Sequence, residues 1–433
     1  MYPVLKKGIE LHLRPDFGTV ILDNNKEVLV NKVGEEILEL CDGSHSIEDI
    51  VGIMTTRYEE DYESVKQLVL NFLSESEKRG HISFFEKKSK QPISLSGSTK
   101  FYVPYLAMIE LTTRCNLKCR HCYVAAGEEE RINELPFDVM KEVINKLSKA
   151  GTKAIQFTGG EPLLYPWFSE ILEYSAHKIP SISVSTNGWF VDEDIASKMA
   201  KNATKVTISL DGMEETHDYI RRVKGSFERA VNAINMLSKE NVPVTVSFVA
   251  TPFNIEEIED VIKTAKSHGA KFFQAGAVLP AGRGSLSWVI TKKQDDYVKE
   301  KLDDLSKKYS DGGFHVVDWS PKPHHEMPSF LKACGAGHRA CAISPNGDVR
   351  PCLPINYTFG NIAKESVESI FSSSIVKYFS TLKSPDEKIC GDCEYLYMCK
   401  GCPAVGIAVS EIIKKRCDWR ESVWKKLEEG DSE

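Results

Sequence analysis

The sequence predicts an α/β protein: a partial (β/α)6 TIM-type barrel, preceded by a winged-helix-like α+β domain and followed by a cysteine-rich segment. Three observations carry that prediction. Six apolar, β-branched runs recur between residues 104 and 280 and alternate with amphipathic helical stretches. The first 90 residues instead place short β-like stretches ahead of three helical patterns. From 334 to 417 regular patterning fades while eight cysteines accumulate, which reads as a segment organised by metal rather than by an apolar core.

In the first 90 residues, GIELHLRP, GTVILD and EVLVNK read as strands. VGEEILELC follows with apolar positions at 37, 38 and 40, and Asp42-Gly43 breaks it. Ser46 or Ser44 can cap the next helix, SIEDIVGIMTTRY, where Asp49 lies three residues after Ser46. A third helix, YESVKQLVLNFLSESEKRG, ends at Gly80. Cys41 falls at the end of the first helical pattern and is expected to be a small buried residue. FEKKSKQPISLSGSTK, polar and rich in Lys, Ser and Gly, reads as a linker.

The six barrel runs are LAMIELTT, KAIQFTGG, SISVSTNG, KVTISLDG, PVTVSFVA and KFFQAGAV. Amphipathic stretches such as FDVMKEVINKLSKAG and FERAVNAINMLSKEN separate them. Pattern alone does not separate a partial barrel from a doubly wound open sheet. In both, ligands sit at the C-terminal strand ends. There the first four runs carry TTRC, TGGEP, STNG and SLDG. The expected divisions are 1–90, a linker at 91–100, the barrel at 101–290, a connecting region at 291–333 and a metal-binding domain at 334–433.

Composition narrows the class. The chain has 433 residues, 42% hydrophobic and 27% charged, with a net charge of −7. That balance is ordinary for a globular protein and makes no electrostatic case for nucleic acid or an anionic membrane. No signal-peptide core and no run of 18 apolar residues occurs, so a cytoplasmic location is expected. Disulfides are disfavoured there, and the clustering of the 12 cysteines points to metal.

Cys115-x3-Cys119-x2-Cys122 puts three thiolates in one tight loop. A 4Fe–4S cluster commonly takes four cysteines, so three leave one iron open to a small ligand. Structural zinc is normally closed by four ligands. This spacing, with Tyr123 or His121 beside the last cysteine and Thr158-Gly159-Gly160-Glu161-Pro162 after the next strand, resembles the radical S-adenosylmethionine (SAM) superfamily. The resemblance implies a SAM-binding 4Fe–4S cluster on the three cysteines. It also implies reductive cleavage of SAM to a 5′-deoxyadenosyl radical that removes a hydrogen atom from the substrate. Tyr123, Gly159, Gly160 and Glu161 would line the SAM site, the glycines admitting its methionine part. Ser209 and Arg221 match positions that bind the SAM carboxylate in sulfatase-maturase-like members, and Asn187 would face the ribose. No catalytic acid or base is identified.

The eight later cysteines resemble a SPASM domain, the auxiliary-cluster extension of peptide-modifying members. The usual x3 gap before the next cysteine is x2 here, between Cys399 and Cys402. The resemblance implies one auxiliary 4Fe–4S cluster on Cys334, Cys341, Cys352 and Cys402, and a second on Cys390, Cys393, Cys399 and Cys417. Two zinc sites are the alternative. His324 and His325 read as a solvated loop.

LVNKVGEEILELCDGSHSIEDIV resembles the PqqD-like leader-peptide recognition domain, which binds a peptide by β-augmentation. Together the three resemblances imply a maturase that crosslinks a ribosomally made precursor peptide. Its partners would be the precursor with its leader and a low-potential electron donor such as a ferredoxin or flavodoxin. No nucleic acid or membrane partner is expected. The alternatives are a haem- or quinone-cofactor enzyme, suggested by VLPAGRGS at 278–285, a sulfatase-maturase-like enzyme, and a non-enzymatic iron–sulfur electron carrier that binds a peptide.

Overall fold

The structure is a computed structural model that describes residues 1–15, 20–23, 26–127, 134–317, 334–413 and 417–423. His324 and His325 lie outside the described residues. The chain divides into two units, Met1–Val103 and Pro104–Glu433.

In the first unit the order is β1 (Tyr2–Leu5), β2 (Ile9–Leu13), β3 (Val20–Asp23), β4 (Lys26–Leu29), α1 (Lys32–Glu39), α2 (Ile47–Tyr58), α3 (Tyr62–Lys78), β5 (Ile82–Phe85) and β6 (Ser94–Gly97). The local signals explain the helices. Ser46 accepts from the Asp49 N–H while Asp49 accepts from the Ser46 N–H, a capping box. α3 stops just before Gly80, whose φ is +82°. Leu11, Ile37, Leu38, Ile50, Met54, Val69, Leu73 and Ile82 form one apolar core. Cys41 belongs to it, fully buried, with its thiol donating to the Ile37 carbonyl at 3.2 Å.

Two features depart from the sequence reading. β1 and β5 pair antiparallel, and neither was expected as a strand. The expected linker is not free chain. Its Ser94–Gly97 stretch forms β6, paired parallel with β2 and completing a sheet of order β4-β3-β2-β6. Polar, exposed Ser and Gly residues hide such an edge strand from periodicity.

The second unit runs β7 (Leu106–Glu110), α4 (Phe137–Ala150), β8 (Ala154–Thr158), α5 (Phe168–Ala176), β9 (Ser181–Thr186), α6 (Glu193–Asn202), β10 (Lys205–Ser209), α7 (Glu214–Arg221), α8 (Ser226–Lys239), β11 (Val244–Ala250), α9 (Ile258–Ser267), β12 (Phe272–Ala277), α10 (Lys292–Tyr309) and β13 (His315–Val316). It continues with β14 (Ala340–Ile343), β15 (Asp348–Arg350), β16 (Gly360–Asn361), α11 (Val367–Phe371), α12 (Ser374–Thr381), α13 (Glu387–Cys390), α14 (Leu396–Cys399) and α15 (Pro403–Ile412).

All six predicted barrel runs are strands, and β7 to β12 lie side by side in chain order, every pair parallel. A doubly wound sheet would reverse direction midway. Sequential order is that of a partial barrel. The apolar β-branched composition follows from burial: Ile155, Phe157, Ile182, Val184, Val206, Ile208, Val246 and Phe248 are all essentially inaccessible. At the other end of the sheet β14 joins β7 in parallel, with Cys341 opposite Ala107. Among the described residues no helix is long and apolar enough to cross a membrane.

Residues 334–423 correct one expectation. They do have an apolar core: Ile355, Phe379, Leu382, Ala404, Ile407, Trp419 and Val423 cluster there. Cys352, Cys390, Cys402 and Cys417 pack against it. Its members are spread over 69 positions in short helices and loops, so no single window displays a period.

Candidate active site

The loop after β7 brings Cys115, Cys119 and Cys122 to the C-terminal ends of the parallel strands. All three line one cavity of about 210 Å³. Tyr123, Gly159, Gly160, Asn187, Ser209 and Arg221, from four different strand ends, line it too. Of the proposed SAM-site residues only Glu161 stands off the cavity wall.

The loop keeps its position by lying on the next one. The Gly160 N–H donates to the Thr112 carbonyl and the Glu161 N–H to the Arg114 carbonyl, both at 2.8 Å. A Cβ at Gly160 would stand 2.1 Å from the Arg114 carbonyl oxygen. The glycine is therefore required by the cysteine loop's own backbone, and not only by a cofactor's approach. Arg114 anchors the same loop through a bidentate pair with Glu134, at 2.9 and 3.0 Å.

Glu161 is fully buried. Its carboxylate accepts from the Thr186 hydroxyl at 2.6 Å, the Asn187 N–H at 2.9 Å and the Leu163 N–H at 3.2 Å. Burial pushes its pKa up to about 7, against the pull of those three donors. Its side chain thus ties the turn after β9 to the turn after β8. Asn187 is held in that turn, with its amide bonded to Asn116 and to the Trp189 N–H, each at 2.9 Å.

Arg221 is no solvated surface charge. It is buried, with Nη2 2.6 Å from Asp211 Oδ2 and Nη1 donating to Cys119 Sγ at 3.5 Å. Asp211 is itself inaccessible; its Oδ1 accepts from the Val249 N–H at 2.9 Å. Burial opposes both charges. The mutual pull of the pair, with the neighbouring histidines acting on Asp211 and the Cys119 thiol on Arg221, outweighs it. The carboxyl is held below, and the guanidinium above, its ordinary range. His121 lines the cavity 3.5 Å from the same Asp211 oxygen, and burial lowers its pKa to about 4.

Sequence reasoning singled out Ser209 and Arg221 but passed over Asp211, which lies between them in SLDG. Arg283 was missed as well. It lines the cavity, and its Nε donates to the Cys119 carbonyl at 2.8 Å while Nη1 donates to that of Ala126 at 3.1 Å. The signal was present: VLPAGRGS follows β12 at the same strand-end layer.

The C-terminal thiols fall into two neighbourhoods. Cys402 acts electrostatically on Cys334, and Cys334 and Cys402 both act on Cys352. Cys393, Cys417 and Cys390 act on Cys399, and Cys402 adds a weaker effect. Cys341 stands apart. It is buried within β14, and burial alone raises its pKa, to about 12, with no other thiol contributing.

The donors around the first cavity fit an iron–sulfur cluster with a polar ligand. Cys115, Cys119 and Cys122 line one common space together with polar groups. Arg221 Nε and His121 Nδ1 on that wall are buried without a hydrogen-bond partner, the condition of groups awaiting a bound one.

Comparison with known proteins places these features. Residues 109–265 match the radical SAM superfamily, 334–394 an iron–sulfur cluster-binding domain (SPASM), and 18–82 coenzyme PQQ synthesis protein D (PqqD). The chain is 30% identical to the antilisterial bacteriocin subtilosin biosynthesis protein AlbA of Bacillus subtilis, over 98% of this chain and 97% of that one. It is 32% identical to the sporulation killing factor maturation protein SkfB of the same organism, over 65% and 68%. Among solved structures, Streptococcus suis SuiB bound to S-adenosylmethionine aligns with a TM-score of 0.68 at 16% identity, covering 96% of this chain and 98% of that one. This likeness is one of fold. SuiB is also known bound to its precursor peptide SuiA.

Proposed function

The chain belongs to the radical SAM superfamily, and from that premise we propose that it modifies a ribosomally made precursor peptide. It is an enzyme of that class, with SAM, a 4Fe–4S cluster and auxiliary clusters as its cofactors. The observation that carries the peptide reading is the alignment with AlbA along nearly the whole chain, N-terminal unit included. A haem-cofactor role leaves residues 18–82, which resemble a leader-peptide recognition domain, without a task.

In this reading residues 1–90 take the leader, 101–290 house the radical chemistry and 334–433 hold the auxiliary clusters. Cys115, Cys119 and Cys122 hold the first cluster; with SAM bound, it supplies a radical that takes a hydrogen atom from an unactivated C–H bond. The chain's own groups do the positioning. Arg221, fixed by Asp211, presents its remaining N–H toward a carboxylate while another N–H faces the Cys119 sulfur. Leu117, Val124, Ala126 and Val249 on the same wall limit water. His121 lies on the same wall, beside Asp211. The outcome expected is a crosslink, thioether or carbon–carbon. A ferredoxin or flavodoxin would supply the electron.

The test is direct. The anaerobic enzyme, with reductant and SAM, is incubated with the product of a short reading frame adjoining its gene. A change in the peptide's mass, accompanied by 5′-deoxyadenosine, is expected. 5′-Deoxyadenosine without any mass change in that peptide would remove the peptide reading and leave the chemistry standing.

A further inference from the structure

A cavity of about 650 Å³, larger than the one of about 210 Å³ at the cysteines, lies in the N-terminal unit. It is lined by residues 4–9, by Ser83 and Phe85, and by Ser89, Gln91, Pro92 and Ser94. None of these residues lies within 18–82, the stretch similar to PqqD. The groove is therefore made by the flanks of that stretch, and the family likeness does not account for it.

The groove is built, not left between loose ends. Segment 89–94 is strapped down: the Ser89 N–H donates to the Gly43 carbonyl at 2.9 Å and the Gln91 N–H to the Asp42 carbonyl at 2.7 Å. Gly43 has φ +75°, and a Cβ there would stand 2.3 Å from the Ser89 carbonyl oxygen. The Asp-Gly break between helices thus serves as the strap's seat. β6 then pairs with β2 and fixes the strap's far end.

Its chemistry is two-sided. Val4, Leu5, Ile9, Phe85 and Pro92 give it an apolar lining, and Phe85 is 52% exposed. Lys6 and Lys7 line it as well, and Lys87 and Lys90 flank its lining residues Phe85, Ser89 and Gln91 in sequence. These four lysines are exposed and make no salt bridge among the described residues. Lys88 instead acts on Asp49 of α2, and Glu86 is the strap's one acid. Exposed aromatic surface beside unpaired cations fits a ligand that is both apolar and anionic.

We propose that this groove binds an acidic segment of the precursor peptide. One apolar side chain sits among Val4, Ile9 and Phe85, and carboxylates pair with Lys6, Lys7, Lys87 and Lys90. This rests on the peptide reading above. A nucleic acid fits less well, because the acidic run from Glu35 to Glu63 in the same unit repels a continuous polyanion.

The test uses the full chain and fluorescence anisotropy. One probe is a short labelled peptide of repeated Glu-Leu-Asp-Phe units; the second replaces each acid with Lys; the third is a single-stranded oligonucleotide. The acidic probe should bind, more weakly at high salt, and the lysine probe should not. Reversing Lys6, Lys7, Lys87 and Lys90 together to Glu should weaken binding on the order of tenfold or more. Phe85→Ser should weaken it several-fold without altering the salt response. Unchanged circular dichroism and unchanged uncoupled SAM cleavage would show both variants folded. The proposal falls if the acidic probe fails to bind, if charge reversal has no effect, or if the oligonucleotide binds as tightly. Precursor modification that persists in the reversed variant would overturn the groove alone and leave the enzyme's peptide substrate intact.

Discussion

The two cysteine regions of the second unit are built on opposite principles. The first three thiols sit at strand ends against charged and hydrogen-bonded groups: Arg221, Asp211, His121 and Arg283. Four of the C-terminal thiols pack against an apolar cluster centred on Trp419, which is 1% exposed. A polar wall can bind and orient a charged ligand. An apolar one cannot, but it shields whatever it encloses from water. The contrast supports the proposed division, in which the first region binds a charged ligand and the second shields its clusters from water.

The sharpest way to break that contrast is to remove the first thiols. Cys115, Cys119 and Cys122 changed together to Ala should abolish 5′-deoxyadenosine release. They should also lower bound iron from about twelve per chain by about four, leaving the auxiliary clusters. Residual SAM cleavage would mean that the second region can do the first one's work.

Next in size is the buried ion pair. Arg221→Leu strands Asp211 in a dry site and should cost about 3–5 kcal/mol in chemical denaturation. Adding Asp211→Asn should recover part of that loss, since no uncompensated charge remains. If Arg221→Leu unfolds at the wild-type midpoint, the wall is wetter than its burial implies.

Glu161 gives a smaller, pH-dependent effect. Its folded pKa of about 7 lies above the ordinary value of 4.5. The folded state therefore favours the protonated form. The resulting stabilisation is complete below the ordinary value and is lost as pH rises toward about 7. Thermal unfolding compared at pH 5 and pH 8 should show this loss in the wild type and a smaller one in Glu161→Gln. Equal slopes would mean that the carboxyl is ionised throughout.

The smallest effect is expected at Cys341. It is wholly buried within β14 and in register with β7, so Cys341→Ala should retain the full iron content, whereas Cys352→Ala should lose iron. Iron loss at Cys341 would restore the four-cysteine set that the sequence motif implies.

What could be read from the sequence followed from range. The six strands, the three-cysteine loop, the Gly-Gly turn and the Ser46 cap are encoded within a few residues each. Asp211 pairing with Arg221, and Arg283 reaching back to the Cys119 carbonyl 164 positions earlier, join segments that no local pattern links. Ser94–Gly97 was misread for a related reason: Ser, Gly and Lys mark a linker by composition, yet backbone hydrogen bonds, which ignore side chains, make these four residues a strand.

One pairing described earlier bears on distance. β14 is hydrogen-bonded along its length to β7, the strand that leads into the cysteine loop. Arg350, two residues before Cys352, pairs with Glu110 at the end of β7. Cys122 and Cys352 both act on Tyr123, so one side chain feels both cysteine regions. A β-ladder is stiff, so the sheet rather than a loop sets the spacing between the two cysteine regions. Loops elsewhere can open and close on a substrate without changing that spacing.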